Sequence, residues 1–354
     1  MANGKTKVSI IGATGYVGVE LLRSLCGHPH FEISKLVSKT FAGKKFSDIY
    51  PIFRGIVDVP LSDITPEEVA ADSDIVITAL PHGVSSKIVP ELLSYGVKVL
   101  DHSGDFRYQS LARYESSYGL THPHPELLNE AVYGLPELYR EELKSARLIS
   151  DPGCYPTCSI LGLTPLLHNG LIKTEGIIVD AVSGVSGAGR KADLAYAFCE
   201  EADGFKPYGV VGHRHTTEIE EKCAIVAGLD DIKITFTPHL ASFVRGMLCT
   251  IYVDPNEKGM SLSTDTLNDV YSEYYKDEHF VRVLSGKEMP DVRHVSGTNF
   301  AEINLVKDEY TGKIKVFSAI DNLGKGSSMQ AIQAMNVAFG YDEGEGINTL
   351  LRGV

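Results

Sequence analysis

Asp151-Pro152-Gly153-Cys154-Tyr155-Pro156-Thr157-Cys158 is the stretch of this chain best suited to covalent chemistry. Proline and glycine break the chain just before Cys154, and Ile160, Leu161, Leu163, Leu166 and Leu167 then repeat with helical spacing. The pattern predicts Cys154 at a helix N-terminus, where the dipole and the free N–H groups favour a thiolate. A thiolate is the form that attacks an acyl carbon. Two plainer readings exist. A cysteine is often a small buried apolar residue, and Cys154 with Cys158 would offer two metal ligands one turn apart. The metal reading lacks a second ligand pair at suitable spacing, so no metal is expected. Cys158, one turn inside an apolar helix, is assigned to the core.

Gly212-His213-Arg214-His215-Thr216-Thr217-Glu218-Ile219-Glu220 sets two histidines and an arginine before a second predicted helix, Thr217 to Val226. Thr216 or Thr217 can cap that helix, and Glu218 and Glu220 suit its first turn. Histidine titrates near neutrality and serves as general acid and base. On an extended segment His213 and His215 share a face and Arg214 points away unless the chain turns. A solvated polar loop is the bland alternative. The His-Arg-His cluster in a chain with a candidate nucleophile favours function, with both histidines as candidates.

Three further stretches offer cations or N–H groups to an anion. Ser183-Gly184-Val185-Ser186-Gly187-Ala188-Gly189-Arg190 follows a predicted strand and reads as an anion-binding nest with Arg190 beside it. Asp101-His102-Ser103-Gly104-Asp105-Phe106-Arg107 ends a strand at the edge where open α/β sheets bind ligands. Arg107 suits a bidentate grip on carboxylate or phosphate, or a surface ion pair with Asp105. Arg245 has the same two readings.

Gly12-Ala13-Thr14-Gly15-Tyr16-Val17-Gly18 lies between the first strand and the first helix. Glycines there permit a tight turn and close approach of a pyrophosphate to the helix N-terminus. The spacing, G-x-x-G-x-x-G, departs from the commoner G-x-G-x-x-G. About 20 residues on, where an NAD site places a carboxylate, the chain reads Val37-Ser38-Lys39-Thr40. A hydroxyl and an ammonium suit a 2′-phosphate, so NADP is the expected cofactor; the alternative is an ordinary loop.

These segments need a frame. The first 150 residues alternate strands (Lys7–Ile11, Phe31–Val37, Asp74–Leu80, Val97–Asp101) with helices (Tyr16–Leu25, Val84–Tyr95), which predicts a parallel Rossmann-type sheet. After Cys154, strands at Gly176–Ser183, Lys233–Pro238, Met247–Val253, Ala301–Val306 and Lys313–Ile320 have few helices between the last of them. They predict an α+β domain with a mixed or antiparallel sheet. Helices are expected at Ser263–Tyr275 and Ser327–Phe339. The length, 354 residues, suits two domains. The net charge of −13 disfavours nucleic acid and anionic membranes as partners. No apolar run approaches the ~18 residues of a membrane span. Six scattered cysteines in a chain this long point to a reducing, cytoplasmic compartment. The short polar start lacks a signal peptide, and trimming from an organellar precursor stays open.

Taken together, these motifs, with Tyr133-Gly134-Leu135-Pro136-Glu137 and Asp321-Asn322-Leu323-Gly324-Lys325-Gly326, resemble the N-acetyl-γ-glutamyl-phosphate reductases, relatives of the aspartate-semialdehyde dehydrogenases. The resemblance runs through nearly the whole chain, and its specific strings are Pro-Gly-Cys-Tyr-Pro-Thr and His-Arg-His-Thr-x-Glu-Ile-Glu. It implies Cys154 as nucleophile and His215 as acid/base, with His213 the second choice. It implies that Ser186, Gly187, Asn322 and Lys325 join Gly12 to Gly18, Ser38 and Lys39 at the cofactor, and that Arg107, Ser183, Arg190 and Arg245 serve the substrate. The dinucleotide-binding domain is then 1–153 with 321–354, and the catalytic and dimerisation domain 154–320. The implied reaction reduces N-acetyl-γ-glutamyl phosphate with NADPH, in a homodimer or homotetramer. The same chemistry on aspartyl phosphate or a carrier-bound aminoadipyl phosphate, or a non-catalytic NADP-binding regulator, are the alternatives.

Overall fold

A computed structural model describes residues 4–347. Its described residues divide into two compact units: those up to Pro152 with Ser327–Ile347, and Gly153–Gly326.

The first unit holds strands β1 (Thr6–Ile11), β2 (Phe31–Val37), β3 (Leu61–Ser62), β4 (Ile75–Thr78), β5 (Lys98–Asp101), β6 (Val132–Tyr133) and β7 (Leu148–Ser150). Their order is β3-β2-β1-β4-β5-β7-β6, and every pair is parallel. Ile75–Thr78 is buried at all four positions, as expected where helices cover both faces. Ile11, Val76, Val89, Leu92, Val99 and Leu148 share one core cluster, each such side chain worth about 1.5–3 kcal/mol on burial. From β1 the chain first steps outward to β2 and β3, then crosses to β4. That reversal is the switch point at which such sheets bind ligands, and the Gly12–Gly18 turn stands there. The closing helix, Met329–Phe339, belongs to this unit: Gln330 Nε2 donates to the Gly134 carbonyl at 2.6 Å and Gln333 Nε2 to Glu137 at 3.0 Å.

The second unit holds β8 (Ile177–Gly184), β9 (Phe205–Pro207), β10 (Ile234–Ala241), β11 (Met247–Val253), β12 (Val281–Val283), β13 (Ala301–Lys307) and β14 (Ile314–Ile320). The sheet order is β12-β13-β14-β11-β8-β10-β9. It is mixed: β8 runs parallel to β10 and β12 to β13, and the other pairs are antiparallel. The Cys154–His168 helix is buried from Tyr155 to Leu167 and packs on β11 and β14. It is apolar on all sides, which suits a central helix. Pro165 cannot donate to the Leu161 carbonyl, and Tyr275 Oη bonds that carbonyl at 2.6 Å. Tyr271 Oη bonds the neighbouring Gly162 carbonyl at 2.5 Å.

Asp321–Gly326, which the sequence groups with the first domain, is tied to this second unit. Asp321 Oδ1 accepts from the N–H groups of Leu323 at 2.8 Å and Gly324 at 3.1 Å, and its Oδ2 pairs with Arg245 Nε at 2.9 Å.

Candidate active site

Cys154 is the first residue of its helix, and Gly153 is the N-cap, with no side chain to offer. The Gly153 N–H donates to Glu218 Oε1 at 3.0 Å, and Glu218 is fully buried. An acidic side chain here complements the positive end of the helix. Cys154 itself is half-buried. Gly326 closes around it: a methyl group added there would come within 2.8 Å of Cys154 Cβ. Cys158 is fully buried and donates to the Ser318 carbonyl at 3.1 Å, in keeping with a core role.

The second motif folds differently from expectation. Its helix runs Arg214–Ala227, beginning three residues before the predicted start, and neither Thr216 nor Thr217 is the cap. The cap is His213, whose Nδ1 accepts the His215 N–H at 3.1 Å. A ring nitrogen does here what a threonine hydroxyl usually does. The accepting Nδ1 carries no proton, which leaves the N–H on Nε2. Burial, reinforced by the adjacent Arg214 cation, lowers the His213 pKa to about 4. His215 lies buried on the first turn. Because the chain turns into a helix at Arg214, that residue shares the cavity with both histidines.

That cavity, of about 320 Å³, lies within the second unit. Its lining includes Cys154, Tyr155, Ser183, Gly187, Lys206, Tyr208, His213, Arg214 and His215. Tyr208 Oη donates to Tyr155 Oη at 3.1 Å, and Tyr155 Oη donates to the His239 carbonyl at 3.2 Å. Burial pushes the Tyr208 phenol up to about 12 and Tyr155 further still, so both stay neutral. Sequence reasoning missed Glu218 as the partner of Gly153, and it missed Tyr155, Lys206 and Tyr208 as lining residues. Glu218 alone left a trace, as an acidic residue of a first turn.

The other candidates are placed as follows. Ser183 lines the cavity, and its hydroxyl bonds the Gly184 carbonyl at 3.1 Å. The expected nest is partly occupied: the Val185 and Ser186 N–H groups go to the Phe243 and Val244 carbonyls at 2.9 and 3.2 Å. Arg190 is exposed and is not among the lining residues. Arg107 is buried in the first unit, donating to the carbonyls of Asp151 at 2.7 Å and His102 at 2.9 Å. Arg245 is held in the buried ion pair with Asp321. Asn322 donates to Ser186 Oγ at 2.9 Å and accepts the Gly246 N–H at 2.8 Å, which fixes the Ser186–Gly187 turn. Lys325 is fully buried, its ammonium 5.9 Å from the centre of the Phe280 ring.

In the first unit the three loop glycines differ in what requires them. Gly12 has φ +90, and a Cβ there would meet the Ala79 carbonyl oxygen at 2.3 Å; one on Gly18 would meet that of Ala13 at 2.2 Å. The fold needs both. Gly15 is different: it is the N-cap of Tyr16–Leu25, and a Cβ on it would meet nothing closer than 3.8 Å. An open glycine at an uncapped helix N-terminus fits a pyrophosphate laid against it. Ser38 is buried, its hydroxyl 3.2 Å from Thr14 Oγ1 in the loop, and Lys39 is exposed just beyond β2. The residues present therefore fit a dinucleotide.

A dinucleotide turn on a parallel sheet, followed by a mixed-sheet unit whose central helix starts at a cysteine, is the build of a nicotinamide-dependent dehydrogenase. Two family descriptions match the chain: semialdehyde dehydrogenase, NAD binding domain, over residues 7–146, and semialdehyde dehydrogenase, dimerisation domain, over 154–322. The N-acetyl-gamma-glutamyl-phosphate reductase of Acetivibrio thermocellus is 50% identical over 341 residues, 96% of this chain and 97% of that one. That of Geobacter sulfurreducens is 48% identical over 345 residues, 97% and 98% of the two chains. The chain belongs to the N-acetyl-gamma-glutamyl-phosphate reductase family. Among solved structures, aspartate semialdehyde dehydrogenase II of Vibrio cholerae matches with a TM-score of 0.72 at 18% identity, over 95% of this chain and 98% of that one. The Candida albicans aspartate semialdehyde dehydrogenase with NADP matches with a TM-score of 0.68 at 16% identity, over 94% and 100%. At such identities these likenesses show the fold alone. The matches bear out the resemblance read from the motifs and the Rossmann-type fold, and they support a nicotinamide cofactor. No helix among the described residues is long and apolar enough to cross a membrane.

Proposed function

We propose that this chain reduces N-acetyl-γ-glutamyl phosphate to N-acetylglutamate semialdehyde and phosphate, with NADPH, in arginine biosynthesis. The observation that carries the reading is Cys154 at the start of a buried helix, lining one cavity with His215. The Cys154 thiolate forms a C–S bond to the acyl carbon, and the C–O bond to phosphate breaks, phosphate leaving with the electron pair. The bound dinucleotide supplies the hydride that takes the thioester to the aldehyde level. His215 gives a proton to the substrate oxygen at the tetrahedral stage and takes it back as the C–S bond breaks. The Cys154 N–H, in the first turn of its helix, is the candidate donor to the developing oxyanion. His213 is less suited to the proton transfer: its Nδ1 is the helix cap, and its pKa of about 4 is far from neutrality.

Preference for NADP over NAD is supported by Ser38 and Lys39, which stand where a carboxylate would repel a 2′-phosphate. Asn322 and Lys325 are proposed to serve the cofactor, and Asn322 holds the turn that carries Gly187. The catalytic unit associates with a second copy as a homodimer or homotetramer, and the protein works in the cytoplasm. The test is a panel of semialdehydes, offered with NADP and phosphate and followed by absorbance. The N-acetylglutamate compound should give the highest kcat/KM. Preference for aspartate semialdehyde, or turnover with none, would refute the assignment.

A further inference from the structure

The cavity has a polar end whose donors and acceptors are fixed by a backbone carbonyl. The His239 carbonyl only accepts, so Tyr155 must give it its hydroxyl proton across 3.2 Å. Tyr155 oxygen then accepts the Tyr208 proton across 3.1 Å. Tyr208 Oη has thereby used its one proton and turns only lone pairs toward the cavity that both tyrosines line. Its backbone is anchored too, the Tyr208 N–H bonding the Pro238 carbonyl at 3.0 Å. A neutral oxygen that can only accept repels an anion and needs an N–H.

Two kinds of N–H can meet it on an amino-acid derivative: an ammonium or an amide. Charge decides between them. Arg214 lines the same cavity, as does Lys206, whose ammonium is paired with Glu201 behind the lining, and none of the lining residues is Asp or Glu. An α-ammonium would meet the Arg214 cation with no lining carboxylate to pair with it, which is unfavourable. An acylated α-nitrogen is uncharged and keeps one N–H. Lys206 also has a defined place in the sheet. Ser183 pairs with Leu240, and Leu240 with Lys206, so the three form one row across β8, β10 and β9. At ~4.8 Å per strand Lys206 stands about 10 Å from Ser183. Gly187, whose added Cβ would lie 3.0 Å from Ser183 Oγ, belongs to the turn that Asn322 holds, and Gly326 of that same Asp321–Gly326 segment touches Cys154. The nucleophile is thus at the Ser183 end and the Lys206–Glu201 ion pair at the other.

We infer that Tyr208 is a specificity-determining residue whose Oη accepts the N–H of the substrate's acylamino group. This rests on the proposed activity and deepens it, assigning discrimination between N-acylated and free amino substrates to one phenol oxygen.

The test is a cycle of one substitution and one substrate change. Tyr208→Phe and the unaltered enzyme are each assayed with N-acetylglutamate semialdehyde and with 5-oxopentanoate, which keeps the aldehyde and carboxylate and lacks the acylamino group. Loss of one neutral hydrogen bond should lower kcat/KM for the first about tenfold, mostly through KM. For the second it should change by less than about twofold, since no N–H is there to lose. Protection of Cys154 from iodoacetamide gives a readout without turnover: Tyr208→Phe should weaken protection by N-acetyl-L-glutamate and leave that by glutarate. Equal losses with both members of each pair would make Tyr208 merely structural, and no loss with either would put the N–H elsewhere; both overturn the inference. Absence of turnover of N-acetylglutamate semialdehyde by the unaltered enzyme would instead sink the proposed activity, and the protection pair would still decide the role of Tyr208.

Discussion

Gly326→Ala isolates the geometry around the nucleophile. The added methyl would lie 2.8 Å from Cys154 Cβ, with the Asp321 carbonyl oxygen at 3.1 Å and Ile320 Cδ1 at 3.2 Å on its other sides. Carbon atoms rest about 3.5–4.0 Å apart, so roughly 1 Å must be found, and backbone blocks one route of retreat. Cys154 stands at a helix start whose remaining residues are buried to Leu167, so the yielding group is Cys154 and its turn. Overpacking of this kind costs about 1–3 kcal/mol. A displacement near 1 Å at a reacting atom costs on the order of 100-fold in rate. The expected result is kcat lowered on the order of 100-fold, slower alkylation of Cys154 by iodoacetamide, and a modest fall in melting temperature. NADP affinity, measured by fluorescence titration, should hold. A kcat within about threefold of the starting protein would show that the turn adjusts freely and that the Gly326 contact does not position Cys154.

Gly15→Ala meets no atom of the fold within 3.8 Å, so its melting temperature should stay unchanged while NADP affinity falls; Ser38→Asp should likewise weaken NADP more than NAD, both read by titration with each dinucleotide. His215→Asn should lower kcat about a hundredfold, the scale of lost general acid–base help, and remove a limb of the pH–rate profile. His213 offers a pH test of stability. Its pKa falls from 6.5 to about 4 on folding, so below pH 6.5 the unfolded state takes a proton the folded state refuses. This group's contribution is complete above pH 6.5 and is lost as pH falls toward 4. His213→Asn keeps a capping acceptor and should flatten that part of the curve in urea midpoints; an unchanged slope would contradict the assignment.

Much of the frame was legible in the sequence because its main strands and helices are strongly patterned. Tyr16–Leu25 and Phe31–Val37 end where the periodicity ends. Strands of two or three residues, such as Leu61–Ser62 and Phe205–Pro207, carry too little pattern to be seen. The nucleophile and the histidines announce themselves through residue type and local context, but partners distant in sequence do not. Nothing near Arg107 reveals that the Asp151 carbonyl, 44 residues on, takes its Nε. Arg245 and Asp321 are 76 residues apart. Tyr208 carries no local signal, and only the fold, just past β9, sets it beside Tyr155. The His213 cap was missed because threonines, the better cappers by type, stand three and four residues further on.

The most direct test of the central claim is to trap the acyl group on Cys154. The enzyme is mixed with NADP and N-acetylglutamate semialdehyde without phosphate, quenched in acid, digested and examined by mass spectrometry. The account predicts an N-acetylglutamyl group on the peptide bearing Cys154, lost when phosphate is added before the quench and absent in Cys154→Ser. Full turnover by Cys154→Ser, or the acyl group on another residue, would contradict it.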